Sequence, residues 1–178
     1  MSDARYFLAL VPPEPHFSKI MELKQEVAAT FESKGALRSP PHITLQMPFL
    51  WKESKRQLLY DHLAEFKFPE FELTINDYGF FEPRVVYVDV VIDESLSKCN
   101  RELSQHLKLI GIQNASYKNR GFTPHITIGF RDLKKPQFYK AKEYYSVKRI
   151  SENWLQKSLS LLEHDGKKWQ IAENFDFY

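Results

Sequence analysis

The sequence predicts a two-lobed fold of helices and strands, built from two β-α-β-α-β units that a pseudo-twofold axis relates across a shared cleft. Three observations lead there. The tetrapeptide Pro-His-Ile-Thr stands at residues 41–44 and again at 124–127. Each copy occupies the third element of a series that alternates strand and helix patterns. The chain of 178 residues would leave either half alone with little core, so the repeats, about 1–82 and 83–178, are expected to share one and form a single unit.

In the first half, Tyr6–Val11 is short, apolar and closed by Pro12 and Pro13, which reads as a buried strand. Phe17, Ile20, Val27, Ala28 and Phe31 then recur at helical spacing, with Lys24 the one polar residue on that stripe, and Gly35 suits the C-terminal cap of a helix over about 15–33. His42–Phe49 alternates: Ile43, Leu45 and Met47 share one face of a strand, and His42, Thr44 and Gln46 share the other. Ser54-Lys55-Arg56-Gln57 has the form of a capping box and opens a helix turning Leu58, Leu59, Leu63 and Phe66 inward, before a strand near 71–77.

The order then repeats. Val85–Val91 is a strand by β-propensity, and a helix over about 93–110 points Leu96, Cys99, Leu103, Leu107 and Ile110 inward, with Gly111 after it. The second motif strand, Thr123–Phe130, a short helix around 136–145 and a strand near 155–162 complete the series. His164-Asp165-Gly166 makes a hairpin to a last strand ending at Phe177.

Composition narrows the function. With 43% hydrophobic and 27% charged residues, the chain is globular rather than disordered. A net charge of +2 supplies no global field for nonspecific binding of long nucleic acids, so any polyanion has to be met locally. The one cysteine, Cys99, excludes an intrachain disulfide and a cysteine-based zinc site, and it suits a reducing cytoplasm as a small core residue. Tyr6–Val11 is too short for a signal peptide, and no segment approaches the roughly 20 apolar residues that cross a bilayer. A soluble cytoplasmic monomer with no membrane partner is expected.

On each motif strand, the two-residue spacing puts an imidazole and a hydroxyl on one face, roughly 6.5 to 7 Å apart, so both can touch one small anion. Histidine, with an ordinary pKa of about 6.5, both accepts and donates protons near neutrality, and His42 and His125 can divide those roles. Thr44 and Thr127 can donate to nonbridging phosphate oxygens. For a cyclic phosphodiester, one histidine takes a proton from the attacking water while the other protonates the departing ribose oxygen in line. The exposed-face parity continues through Gly129 to Arg131, which could bring a guanidinium to the same anion, whereas the first strand offers Gln46 and Pro48. The two halves are therefore not chemically equivalent.

A lone histidine on a strand is more often structural than catalytic; repetition singles out His42 and His125. His16, His62, His106 and His164 lie in helices or turns without evident partners and are expected to be structural or exposed. No third histidine or carboxylate follows at ligand-like spacing, so neither metal nor cofactor is expected. Among the aromatics Tyr6, Phe7, Phe49, Trp51, Tyr87, Phe122 and Phe130, core is the default; Phe130 is read toward the interior, and Phe7, Tyr87 and Phe122 could rim a cleft. Lys118, Asn119 and Arg120 read as a solvated basic turn rather than a phosphate funnel.

With these residues in place, the chain resembles the 2H phosphoesterase superfamily, and within it the 2′-5′ RNA ligase-like (LigT-like) proteins. The marks are His42-Ile43-Thr44-Leu45 and His125-Ile126-Thr127-Ile128, supported by RYFLALVPPE, RVVYVDVV, FTPHITIGFRD and SLSLLEHDGKKWQI. The resemblance implies a bilobal α+β fold with antiparallel sheets around a central groove, and cofactor-free cleavage of 2′,3′-cyclic or related RNA phosphodiesters. It further implies catalytic roles for His42 and His125, phosphate contacts from Thr44 and Thr127, and an RNA terminus or small cyclic nucleotide as substrate, leaving a 2′-phosphate. Two rival readings remain on the sequence: an RNA-end or nucleotide-binding protein with little turnover, and a reversible 2′-5′ RNA ligase.

Overall fold

A computed structural model describes residues 2–114 and 121–178. They form β1 (Asp3–Leu10), α1 (His16–Phe31), β2 (Ile43–Lys52), α2 (Arg56–Ala64), β3 (Phe71–Phe81), β4 (Val85–Val90), α3 (Glu94–Lys108), β5 (His125–Gly129), α4 (Lys135–Ser146), β6 (Ser151–Gln156), β7 (Ser158–His164) and β8 (Trp169–Asp176), with 3-10 turns at Gly35–Arg38 and Glu53–Lys55. The strands build two four-stranded antiparallel sheets, in the orders β2-β1-β7-β8 and β5-β4-β3-β6. This is the α+β, two-lobed duplication the repeat predicts.

The lobes are not the sequence halves. β3, from the first half, pairs with β4, and β7, from the second half, pairs with β1. Helices cross as well: α1 packs against β5, and α3 against β2. Each motif strand thus lies over a helix contributed by the other half. One large apolar cluster runs through both lobes, from Tyr6, Leu8 and Leu10 to Val86, Ile126 and Phe138.

Several local expectations change in three dimensions. The single strand read through 155–162 is two, β6 and β7, and they join different sheets with Lys157 between them. Gln156 makes the crossing tolerable: its amide donates to the carbonyls of Val11 and Ser158 and accepts the Trp154 indole N–H, so buried backbone at the break stays paired. Gly35 does not cap α1, because Glu32 takes the left-handed position (φ 58°). Gly35 is instead where the Phe130 carbonyl comes close; a Cβ there would sit 2.5 Å from that oxygen.

Ser54 lies in the 3-10 turn before α2 and makes no cap, and Leu58 faces solvent at 51% exposure while Leu59, Leu63 and Phe66 turn inward. α3 has the cap that α2 lacks: Asp93 accepts the Leu96 N–H at 2.8 Å. Cys99 packs inside this helix, where burial pushes its thiol up to about 12.

The remaining histidines have partners. His62 and His106 stack with ring centroids 3.9 Å apart, and each Nε2 lies 2.7–2.8 Å from the other residue's carbonyl oxygen, tying the ends of α2 and α3 together. His16 sits 3.1 Å from the Glu152 carboxylate, and His164 lies against the Trp169 ring. No helix among the described residues is long and apolar enough to cross a membrane.

Candidate active site

β2 and β5 are the outer strands of their sheets and lie beside each other, so the fold brings both motifs to one place. Their first residues share a pattern: half-buried His, buried Ile, half-buried Thr, then two buried residues, at His42–Gln46 and again at His125–Gly129. A β-bulge explains the doubled burial. Ala9 pairs with Thr44 but Leu8 with Gln46, and Tyr87 pairs with Thr127 but Val86 with Gly129, so each motif strand has one extra residue just past its threonine.

The bulges correct the simple alternation. Gln46 leaves the motif face and is buried at 2% exposure, with its Oε1 unpaired among the described residues. Gly129 turns toward α1, where a Cβ would meet Val27 Cγ1 at 3.0 Å, so its bare position serves packing rather than the cleft. β5 then ends, and Arg131 lies beyond it.

Both histidine rings are oriented the same way. His42 Nδ1 lies 2.7 Å from the Pro40 carbonyl, and His125 Nδ1 lies 2.8 Å from the Thr123 carbonyl. A carbonyl only accepts, so the hydrogen belongs on Nδ1, and in the neutral ring Nε2 keeps a free lone pair. Pro41 and Pro124 stand between each ring and the residue whose carbonyl it meets, and a proline disfavours the helical conformation in the residue before it. Thr44 and Thr127 follow two residues on, each half-buried.

Aromatic side chains wall the two rings. Phe7 lies 4.8 Å from His42, centroid to centroid, and belongs to a small separate cluster with Ala9 and Leu162 against Trp169. Tyr87 and Phe81 lie 5.2 and 5.0 Å from His125. Of the three aromatics read as possible rims, Phe7 and Tyr87 touch a motif histidine, whereas Phe122 packs on the main core. Tyr6 is fully buried, and Phe49 and Trp51 pack on the same core.

Phe130 is 39% exposed rather than interior, and the Arg131 guanidinium lies 5.4 Å over its ring. Arg131 holds a left-handed backbone (φ 64°) within a tight turn in which Asp132 N–H donates to the Phe130 carbonyl at 2.8 Å. The Asp132 carboxylate fixes this turn by accepting from Ser33 Oγ, Lys34 N and Gly35 N at 2.8–3.0 Å. A non-glycine residue held there is strained, as residues near functional sites often are. The basic segment Lys118, Asn119 and Arg120 lies outside the described residues.

The electrostatics differ between the two motifs. Burial, then the nearby Lys24 charge and His125, push His42 down to about 4, against the pull of the Pro40 carbonyl. Burial also lowers His125, but the Thr123 carbonyl and Asp89, its cross-strand neighbour, oppose this. Lys24 is the functional candidate that sequence reasoning passes over: it appeared only as a break in the α1 stripe, yet it is 1% exposed. Its amine donates to the carbonyls of Ala36 and Ser39 at 3.0 and 2.9 Å. Among the described residues, no group of three or more His, Cys, Asp and Glu is arranged to hold a metal ion.

Residues 12–168 match the family model described as the 2′-5′ RNA ligase superfamily. No curated protein matches the sequence. Among solved structures, E. coli LigT complexed with 3′-AMP is similar at 18% identity, with 99% of each chain covered and a TM-score of 0.70. A protein described as a phosphoesterase follows at 19% identity, 99% coverage of both chains and a TM-score of 0.67. TT0787 of Thermus thermophilus gives 18%, 97% of both chains and 0.66. At these identities the likeness shows the shared fold.

Proposed function

The chain belongs to the 2′-5′ RNA ligase superfamily, whose members act on phosphodiester bonds, and we propose that it opens 2′,3′-cyclic phosphates of RNA ends or small nucleotides without a metal. The observation that carries this reading is the matched pair of imidazoles, each with Nδ1 committed to a carbonyl and Nε2 left for chemistry, on strands that lie side by side.

The diester binds with its nonbridging oxygens at the hydroxyls of Thr44 and Thr127, and the Arg131 guanidinium adds a charge-assisted contact. Water attacks phosphorus as one Nε2 removes its proton; the bond to the 3′ oxygen breaks as the other Nε2–H protonates that oxygen. The product is a 2′-phosphate with a free 3′ hydroxyl. With the 5′ hydroxyl of a second RNA end attacking the cyclic phosphate in place of water, the same groups form a 2′-5′ linkage as the bond to the 3′ oxygen breaks, which is the 2′-5′ ligase reading that the family description favours. The nucleotide in the E. coli LigT complex supports a ligand of this size, and the buried thiol of Cys99 suits a protein of the cytoplasm.

Incubation with a panel of nucleoside 2′,3′-cyclic phosphates and 2′-5′ dinucleotides, followed by phosphorus NMR, tests the proposal. A cyclic phosphate should open to the 2′-phosphate in the presence of chelator. Activity abolished by chelator, or binding without turnover across the panel, rejects it, the latter in favour of a nucleotide-binding role.

A further inference from the structure

β2 and β5 are each the outermost strand of a sheet, so among the described residues one edge of each motif strand has no strand beside it to take its backbone groups. Side chains take them instead. Asn114, in the segment after α3, grips the edge of β2: its Oδ1 accepts the Met47 N–H at 2.8 Å and its Nδ2 donates to the Leu45 carbonyl at 3.0 Å. Ser33, just past α1 and fully buried, grips β5. Its Oγ accepts the Phe130 N–H at 3.3 Å while donating to the Asp132 carboxylate at 2.8 Å.

The two contacts are counterparts. Met47 and Phe130 hold the same place in the two motifs, three residues past Thr44 and Thr127. In each case the gripping side chain follows a helix from the opposite half of the chain. Both grips also fall at the bulges, where Leu45 and Ile128 are the extra residues between Thr44 and Gln46 and between Thr127 and Gly129. A bulge leaves its extra residue without a ladder partner, and Asn114 supplies one to the Leu45 carbonyl. Because strand side chains alternate with a period of two, moving the first bulge back by one residue would present Leu45 in place of Thr44. Backbone held just past each bulge keeps it in place.

We propose that Asn114 and Ser33 are positioning residues that pin these bulges, Asn114 acting through the hydroxyl of Thr44 and Ser33 through that of Thr127. This rests on the phosphodiesterase reading and deepens it, because each phosphate-binding hydroxyl gains a residue that aims it. Each half of the chain thereby sets the phosphate contact of the other.

Asn114→Leu keeps the bulk and removes both bonds. Ser33→Ala removes the hydroxyl, and the Asp132 carboxylate keeps Lys34 N and Gly35 N, so the Arg131 turn is retained. In the resting protein, exchange of the Met47 N–H with water should quicken about tenfold in Asn114→Leu and that of Phe130 should not, the reverse holding in Ser33→Ala. In Asn114→Leu, kcat for adenosine 2′,3′-cyclic phosphate should fall about fivefold with KM moving less than about twofold, since the hydroxyl acts on charge that builds in the transition state. Inorganic phosphate, a dianion that already carries such charge, should bind about threefold more weakly to either variant by phosphorus NMR. Crossed double variants separate aiming from general support. Added to Thr44→Val, Asn114→Leu should cost almost nothing more, whereas added to Thr127→Val it should keep its whole cost. Ser33→Ala should show the opposite preference.

Equal penalties in the two threonine backgrounds overturn the proposal, as does unchanged amide exchange in folded Asn114→Leu. Asn114→Ala carries the test if Asn114→Leu does not fold. If amide exchange and phosphate affinity shift but the wild-type protein opens no cyclic phosphate, the pinning survives and the phosphodiesterase reading fails.

Discussion

The phenol ring of Tyr87 faces His125 at 5.2 Å, and it occupies the space a side chain at residue 79 would fill. A Cβ on Gly79 would lie 2.2 and 2.3 Å from two ring carbons of Tyr87 and 2.5 Å from its hydroxyl oxygen. Gly79→Ala should therefore displace the ring, costing about 1–3 kcal/mol as overpacking does and weakening nucleotide binding. In the double variant Gly79→Ala/Tyr87→Ala the clash is gone, so urea unfolding should show non-additive costs; strict additivity would mean the ring is not held there.

His42→Ala and His125→Ala should each lower kcat by about 100- to 10,000-fold, the usual worth of a general acid or base. Thr44→Val and Thr127→Val keep strand propensity and lose only a hydroxyl, so about 10- to 100-fold is expected, the value of a hydrogen bond to a charged group. Initial rates on a cyclic mononucleotide decide the matter, with circular dichroism confirming the fold. Either alanine variant within fivefold of wild type would remove that histidine from the mechanism.

The pH dependence follows from the two rings needing opposite states. As pH falls through about 4, His42 gains a proton, both rings are then protonated and no base is left. As pH rises through a value that burial holds below the ordinary 6.5, His125 loses its proton, both rings are then neutral and no acid is left. The profile of kcat/KM should be a bell with its maximum between these limbs, on the acid side of neutrality. A plateau extending above pH 8 would contradict the pairing.

Lys24 should also leave a trace in stability. Its folded-state pKa of about 7 lies below the ordinary 10.5, so the unfolded chain binds the proton more tightly. The penalty is fully present below about pH 7 and is relieved as pH climbs toward 10.5. Wild-type unfolding free energy should therefore gain up to a few kcal/mol, by about 1.4 kcal/mol per pH interval, across that window relative to Lys24→Met. Parallel curves for the two proteins would show that the amine carries no such burden.

Arg131 offers a dissociation of stability from function. Its left-handed backbone (φ 64°) strains any side chain with a Cβ, so Arg131→Gly should raise stability by up to about 1 kcal/mol while weakening 3′-AMP binding. Thermal unfolding and a nucleotide titration read the two effects separately. Unchanged nucleotide affinity would place the guanidinium outside the phosphate site.

The large pattern was legible because periodicity and repetition are carried by many residues. The helix stripes, the motif strands and the paired Pro-His-Ile-Thr segments all follow from spacing that tertiary packing respects. What escaped was set by single contacts between distant segments. The bulges past Thr44 and Thr127 depend on register with β1 and β4, and they alone turn Gln46 and Gly129 inward. Lys24 looked like a break because its acceptors, the carbonyls of Ala36 and Ser39, are backbone atoms that no side-chain pattern reveals. His62 and His106, 44 residues apart, find each other only when two helix ends meet.

The exchange of strands between lobes governs how the protein can come into being. β1 lies next to β7, so the sheet holding the first motif stays incomplete until residues 158–164 have left the ribosome. Pairings of such long sequence separation form slowly, because the entropy of closing the loop is lost before the contact is gained. A nascent chain that has made both Pro-His-Ile-Thr segments therefore still lacks the frame that aligns them, and catalytic competence should arrive with the final act of folding.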